Sequence, residues 1–292
     1  MDTHRPWVMA ARPPTLWASV APVIVGSALA IRDQSFRIVP FLAVLAAALL
    51  IQIGVNYAND YSDAARGADT ERRIGPQRAV ASGLITPKQM RIGIGVVFGA
   101  AVLIGLYLTW LAGPLVVVIG VLSIAAALGY TGGPVPYGYR GLGEVFVFVF
   151  FGLVATAGTR YVYDQTVGLD AWIGGIVMGC LATAILVANN IRDIATDTAA
   201  GKRTLAVKLG RRRSRTLFAW VVWAAFAVVA VAAAAGWVPP WSALALLGLP
   251  PALSVVRAVG RTVDGPPLIA ALAATARIQL AVGVLFAIGA LL

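Results

Sequence analysis

Apolar residues in this chain fall in long, nearly unbroken runs, at about residues 15–31, 40–58, 92–110, 113–130, 142–161, 171–190, 216–236, 240–256 and 267–291. Most come close to the roughly 20 residues that a helix needs to cross a hydrocarbon core, so the pattern predicts transmembrane helices rather than amphipathic ones. Four proline pairs, Pro13-Pro14, Pro239-Pro240, Pro250-Pro251 and Pro266-Pro267, fall near the predicted ends, where a missing N–H costs least. The expectation is an all-α polytopic membrane protein with about nine transmembrane helices, forming a single integral-membrane domain over residues 1–292.

Composition agrees. Hydrophobic residues make up 60% of the chain and charged residues 12%, against about 25% charged in soluble domains. The single cysteine, Cys180, lies inside an apolar run and reads as a packing residue, and the single histidine, His4, lies in the N-terminal tail. These counts exclude an intramolecular disulfide, a Cys/His zinc site and a bis-histidine haem.

The net charge of +11 does not form the continuous soluble face that nucleic acid requires, and no nucleic-acid partner is expected. It sorts instead by loop. The N-terminal tail and alternate loops hold 19 of the Lys and Arg residues, the remaining loops hold 3, and Arg277 lies within the last run. By the positive-inside rule the N-terminus and the two long basic loops face the cytoplasm and the C-terminus lies outside. Trp110, Trp172, Trp237 and Trp241 then mark the outer interface, and Trp7, Trp17 and Trp220 the inner one. Arg5 and Arg12 before an apolar run ending Ala28-Leu29-Ala30 resemble a cleavable leader, but the run is expected to be retained as the first spanning helix. The excess of arginine over lysine, 20 to 3, with abundant alanine suggests a GC-rich bacterial source, and so the bacterial inner (plasma) membrane as the location.

Twelve acids serve the whole chain, and five of them crowd into two places. The first is Asn56-Tyr-Ala-Asn59-Asp60-Tyr61-Ser-Asp63 with Asp69 downstream, and the second is Asn189-Asn190-Ile-Arg192-Asp193-Ile-Ala-Thr-Asp197. Continuing each helix beyond its apolar run stacks Asn56, Asp60 and Asp63 on one face and repeats the geometry with Asn189, Asp193 and Asp197. The two sites lie 133 residues and four predicted helices apart, which gives their carriers the same orientation, as in a parallel internal repeat. Stacked carboxylates repel unless a cation sits between them. Hard oxygen donors without His or Cys suit Mg²⁺ shared with a polyphosphate, and Arg66, Arg72, Arg73, Arg78, Arg192, Lys202 and Arg203 lie nearby in sequence to offset phosphate charge. Solvated helix ends with surface ion pairs are the plainer alternative.

The motifs Asn59-Asp60-Tyr61-Ser62-Asp63 and Asp193-Ile-Ala-Thr-Asp197, with Arg78-Ala-Val-Ala-Ser-Gly83 and Gly201-Lys202-Arg203-Thr-Leu-Ala-Val-Lys208-Leu-Gly210 downstream, resemble the UbiA superfamily of intramembrane aromatic prenyltransferases. Arg12-Pro-Pro-Thr-Leu, Ala21-Pro-Val-Ile-Val-Gly26, the run Gly54–Asp63 and the stretch Gly129–Glu144 are most similar to its dihydroxynaphthoate-prenylating branch. The family's more usual third acid of the first motif is replaced here by Gly67, which leaves Asp69 the weaker candidate.

The resemblance implies a UbiA-like bundle around a central cavity opening to the cytoplasm. It implies transfer from a polyprenyl diphosphate, held among membrane lipid, to 1,4-dihydroxy-2-naphthoate, with loss of CO₂ and diphosphate, giving demethylmenaquinone. Asp60, Asp63, Asp193 and Asp197 would hold Mg²⁺ and be catalytic, Asn56 and Asn189 would orient it, and Arg78, Arg140 and Lys202 would contact the diphosphate. The loop from Tyr130 to Glu144, with Tyr130 and Arg140, would cover the acceptor. Other acceptors within the superfamily are 4-hydroxybenzoate, homogentisate and phosphoribosyl diphosphate. A secondary transporter is the alternative from another class, although transporter acids usually lie nearer the midplane. A mid-helix arginine costs at least about 2.5–3.5 kcal/mol on insertion scales, so Arg277 is expected to face Glu144, a backbone carbonyl, the cavity or the acceptor's carboxylate. Gly175-x-x-x-Gly179 predicts a helix-packing face.

Overall fold

The structure, a computed structural model, describes residues 5–68, 75, 77–262 and 265–292. Every predicted run is helical. A short helix α1 (Arg5–Ala11) turns through Arg12, at φ 52°, into α2 (Pro13–Arg32). Then follow α3 (Ile38–Ala65), α4 (Pro87–Ala112), α5 (Leu115–Gly129) and α6 (Gly143–Phe148). A π-helical segment, Val149–Val154, joins α6 to α7 (Ala155–Asp164). Next come α8 (Leu169–Ala199) and α9 (Leu205–Ala234), the latter kinked at Gly210. A 3₁₀ segment, Pro240–Gly248, leads into α10 (Leu249–Arg261), and α11 (Gly265–Leu291) ends the fold.

With α6 to α7 and the 3₁₀ segment to α10 each taken as one crossing, eight helices among the described residues are long and apolar enough to span a bilayer. The ninth predicted segment is α5, which has only 15 residues and so falls short of a full 20-residue crossing. Helix boundaries follow local chemistry as well as hydropathy. At the start of α4, the Thr86 hydroxyl accepts from the Gln89 amide at 3.2 Å while the Gln89 side chain accepts from the Thr86 amide at 2.9 Å, and Pro87 opens the helix.

Helix α8 is the axis, with 20 of its 31 residues buried, Cys180 among them. It packs against α9, α11, α6 and the π-helical segment. By contrast α5 buries only Val116 and Ala127, and its Val118 and Leu122 face outward, as suits a helix solvated by lipid. The closest approach lies where α8 meets the π-helical segment. A Cβ on Gly152 would sit 2.4 Å from Gly179 Cα and 2.5 Å from the Gly175 carbonyl, so the expected Gly175/Gly179 packing face is used.

At the end of the bundle away from the acidic motifs, Arg32 bridges Asp33 at 3.0 Å and Asp170 at 2.5 Å. There Arg160 bridges Asp33 at 2.8 Å and Asp164 at 2.6 Å. Arg277 departs from expectation: it is exposed on the outward side of α11 and lines no part of the central cavity. Glu144, offered as its partner, bonds Asn190 instead.

Gly152→Ala should lower thermal stability in detergent by about 1–3 kcal/mol, the usual cost of overpacking, because the new methyl meets backbone rather than a yielding side chain. Gly99→Ala, with open space around the added Cβ, is the control and should leave the unfolding temperature unchanged or slightly raised. Equal behaviour of the two variants in a thermal-shift experiment would remove the α8 contact as a stability determinant.

Candidate functional site

A cavity of about 420 Å³ runs through the bundle from a polar mouth to an apolar far end. The α3 residues that line it include Ala48, Gln52, Asn56, Asn59 and Asp63, which recur at three- and four-residue steps and so form one stripe. From α8 come Ala182, Leu186, Asn189, Asn190, Asp193 and Asp197. Deeper in, Val44, Leu108, Val116, Ile124 and Val162 make the wall hydrocarbon.

Asp63 is the meeting point of the mouth. It is 2% exposed, and its carboxylate takes Arg78 at 3.0 Å, Lys202 at 3.0 Å and the Tyr139 hydroxyl at 2.7 Å. Those partners come from the loop after α3, the loop after α8 and the loop after α5, so one side chain ties three connections together. The Lys202 ammonium also lies 4.8 Å from the centre of the Tyr139 ring, a cation–π contact, and the Lys202 amide donates to the Asp197 carbonyl at 2.8 Å. The second motif answers the first across the mouth. Arg192 grips Asp193 through two bonds of 2.7 and 2.6 Å and donates to Asn189 Oδ1 at 2.8 Å. Asp193, Asp197 and Asn189 all line the cavity.

Two predicted residues go elsewhere. Asp60 is 1% exposed and does not line the cavity, because its two oxygens accept from the backbone amides of Ala79 and Val80 at 3.0 and 2.9 Å. Three residues turn a helix by about 300°, which leaves Asp60 about 60° around the axis from Asp63, at the edge of the stripe where the 78–80 loop packs. Its task is to hold the loop that delivers Arg78. Arg140, expected at the diphosphate, is exposed and absent from the cavity wall, and its carbonyl accepts from the Lys208 ammonium at 2.6 Å. Tyr139, its neighbour, is the residue of that loop that reaches Asp63.

Four more of the expected residues reach the cavity. Arg78, Tyr130, Lys202 and Asn56 line the cavity, and Asn56 also donates to the Ala11 carbonyl at 2.8 Å, fixing the α1–α2 corner against α3. Arg66 donates to the Gly133 carbonyl at the rim, and Arg203 is exposed. Asp69, Arg72 and Arg73 lie outside the described residues.

Several lining residues escape sequence reasoning. Arg12 reaches the cavity from the α1–α2 corner, and Thr131 donates to Asn59 at 2.9 Å. A row of rings, Tyr130, Tyr137, Phe146 and Phe150, lines one side. Tyr137 and Phe146 stack at 3.9 Å between centroids, with Tyr130 at 5.5 Å from Tyr137 and Phe150 at 6.1 Å from Phe146. The glycines of the loop make room for these rings: a Cβ on Gly138 or Gly143 would meet the Tyr130 ring at about 3 Å. Burial pushes the Tyr137 phenol well above its usual range. Burial and then the charge of Glu144 do the same to Tyr130, so both hydroxyls stay protonated at neutral pH. The available signal was the spacing of aromatic residues from 130 to 150 on either side of a glycine-rich loop, but the rings meet only after that loop folds back.

Comparison with known proteins agrees with this architecture. The model of the UbiA prenyltransferase family matches residues 19–265. A Mycobacterium tuberculosis protein named 1,4-dihydroxy-2-naphthoate octaprenyltransferase is 42% identical over 268 residues, covering 91% of this chain and 88% of its own length. An Escherichia coli protein of the same name is 36% identical, covering 97% of this chain and 94% of its own. Among solved structures, a UbiA homologue from Aeropyrum pernix superposes with a TM-score of 0.71 at 15% identity, covering 94% of this chain and 96% of that one. A homologue from Archaeoglobus fulgidus bound to GPP and Mg²⁺ gives 0.67 at 10% identity, covering 96% and 99%. The chain is a multi-pass membrane protein and belongs to the UbiA prenyltransferase family.

Proposed function

We propose that this protein transfers a polyprenyl group from its diphosphate to 1,4-dihydroxy-2-naphthoate, with release of diphosphate and CO₂, as a single membrane domain. The observation that carries the reading is the continuity of one cavity, cationic and acidic at its mouth and hydrocarbon beyond, which matches a substrate with a diphosphate head and an isoprenoid tail. Relatives that bear the name of this activity and share 36–42% of their residues over most of the chain support the choice of acceptor.

In this reading Arg78 and Lys202 bind diphosphate oxygens and favour charge building there as the allylic C–O bond breaks. The rings of Tyr130, Tyr137, Phe146 and Phe150 present π faces to the allylic cation, and the apolar wall keeps water from capturing it as an alcohol. The ring carbon of the acceptor that bears the carboxylate then bonds the prenyl C1. The carboxylate leaves as CO₂, and its C–C bonding pair restores the aromatic ring. The two hydroxyl protons are not consumed.

The donor set suits Mg²⁺, which takes one or two carboxylates and completes its shell with phosphate oxygens and water. Among the described residues no three acids converge into a preformed cage, so the fit is to Asp63 on one side and Asp193 and Asp197 on the other, with oxygen from Asn189. Mg²⁺ bound there would supply positive charge against the leaving diphosphate. Asp63 is ion-paired to Arg78 and Lys202, and Asp193 to Arg192, so these carboxylates stay neutralised while the mouth awaits its ligands.

Cationic Arg78, Lys88, Arg91, Lys202, Lys208 and Arg211–Arg213 lie in the α3–α4 and α8–α9 connections and the helix starts beside them, on the mouth side. By the positive-inside rule the mouth opens to the cytoplasm; with α5 as a short ninth crossing that returns the chain to Asp63 at the mouth, the N-terminus lies on that side and the C-terminus opposite, in a bacterial plasma membrane.

Purified protein supplied with a polyprenyl diphosphate and carboxyl-labelled 1,4-dihydroxy-2-naphthoate should release labelled CO₂ with a prenylated naphthalene-1,4-diol, which air then oxidises to the quinone. Prenylation of 4-hydroxybenzoate or homogentisate instead would overturn the acceptor. EDTA should stop turnover and Mg²⁺ should restore it, and full activity in chelator would end the metal proposal. Asp63→Asn should lower kcat on the order of 100-fold, the scale for removing one charge-organising group from a reaction centre. Asp60→Asn should act differently: an amide facing the Ala79 and Val80 N–H groups leaves an unsatisfied buried polar atom, costing about 1–3 kcal/mol of stability, and raises KM for the diphosphate more than it lowers kcat. An unchanged unfolding temperature with a collapse of kcat would return Asp60 to the reacting centre.

A further inference from the structure

One buried acid has no part in the chemistry above. Glu144, at the start of α6, is 6% exposed and does not line the cavity. Its Oε1 accepts a hydrogen bond of 3.0 Å from Nδ2 of Asn190, and its Oε2 is buried with no partner among the described residues. Asn190, itself 5% exposed, does line the cavity, one residue before Ile191 and three before Asp193. The Glu144 carboxyl accepts from the Asn190 NH₂, so Asn190 meets Glu144 through its NH₂ end. The Oδ1 of Asn190 is thereby turned from Glu144 and has no protein partner among the described residues.

We infer that Glu144 locks the Asn190 amide so that its carbonyl oxygen receives a phenolic hydroxyl of the aromatic acceptor, making Asn190 the residue that reads hydroxylation of the ring and Glu144 its positioning residue. Three observations bear on the choice of ligand. A carbonyl oxygen repels diphosphate and carboxylate oxygens, so in an otherwise anion-seeking mouth it selects a donor. The Tyr130 ring and Asn190 both line the cavity, and the ring lies against Gly143, the neighbour in sequence of the Glu144 that Asn190 bonds, so the ring wall and the Glu144–Asn190 pair share the start of α6. A hydrogen bond from the hydroxyl to a neutral amide leaves more electron density on the ring than a free hydroxyl does, and it removes no proton, in keeping with a reaction that retains both hydroxyl protons. The inference rests on the proposed prenyl transfer.

The test is steady-state kinetics of full-length protein in detergent, with 1,4-dihydroxy-2-naphthoate and a polyprenyl diphosphate varied separately. Glu144→Gln changes little in volume but can donate as well as accept, so the amide pair loses its single orientation. It should raise KM for the naphthoate about tenfold or more, with KM for the diphosphate within about twofold, because a misdirected buried polar group penalises only the ligand that meets it. Asn190→Ala should do the same and should shrink the KM difference between the naphthoate and analogues lacking a hydroxyl, a comparison made in KM because loss of a hydroxyl also deactivates the ring and lowers kcat in every variant.

Equal rises in both KM values, or loss of kcat alone, in variants whose unfolding temperature matches wild type would each overturn the inference. So would equal KM values of the wild type for hydroxylated and dehydroxylated acceptors. If the wild type does not prenylate dihydroxynaphthoate, both this inference and the proposed function fall; if it does and the variants are unaffected, only this inference falls.

Discussion

The buried charge at Asp63 is the constraint on which the mouth depends. A carboxylate 2% exposed would be prohibitively costly alone, and it persists because Arg78, Lys202 and Tyr139 converge on it from three different connections. None of those loops is close to the others in sequence, yet each must close correctly for the charge to be satisfied. The chain thus uses one expensive group to fix the relative positions of α3, α5 and α8 at the end where the chemistry lies. Breaking such a pair by removing one partner typically costs about 3–5 kcal/mol, far more than a surface pair would. The same low dielectric that makes the group costly to bury also makes Arg78 and Lys202 strong ligands for an incoming anion.

Below the mouth the constraint changes from charge to shape. Gly152 on the π-helical segment touches Gly175 and Gly179 on α8, and a helix pair this close leaves no room for side chains between them. Side chains on the opposite side of the segment are therefore directed into the cavity, and Phe146 and Phe150 fall in line with Tyr137. A π turn holds one residue more than an α turn, and such turns recur at functional sites because they re-aim a helix face without breaking it. The aromatic wall is thus a consequence of packing on the far side of its own helix. The outward faces of α4 and α5 are apolar because they meet lipid, so the cavity can hold an isoprenoid tail beside the bilayer interior without a wet boundary between them.

Much of this is legible in the chain. The nine apolar runs announce the helices because hydrocarbon demands a fixed length of internally bonded backbone, and only α5 falls short of that length. The two acidic motifs announce the mouth because buried or clustered acids are too rare in such a chain to be incidental. What the pattern misplaces are angles and loop ends. Asp60 and Asp63 share a motif, but about 60° of helical turn sends one to the backbone of the 78–80 loop and the other to the cavity. Tyr139 and Arg140 are adjacent, and a 3₁₀ turn over Gly138–Arg140 sends the tyrosine inward and the arginine outward. Sequence spacing carries periodicity along an element, whereas these outcomes depend on which loop arrives from elsewhere to pack against it.

Asn189 and Asn190 show how finely one helix can divide its labour. Asn189 accepts from Arg192 and so belongs to the clamp around Asp193, while Asn190, one position and about 100° further round, bonds Glu144 on α6. The first asparagine faces the part of the mouth where negative charge must be gathered. The second is tied to the start of α6, where the flat ring of the acceptor has to be oriented. A charged side chain at position 190 would add to the repulsion around Asp193 and Asp197, and an apolar one would leave Glu144 buried without its hydrogen bond. A neutral amide, fixed by a carboxyl group behind it, satisfies both demands, and the same helix therefore presents an anion-handling surface and a hydroxyl-reading surface within a single turn.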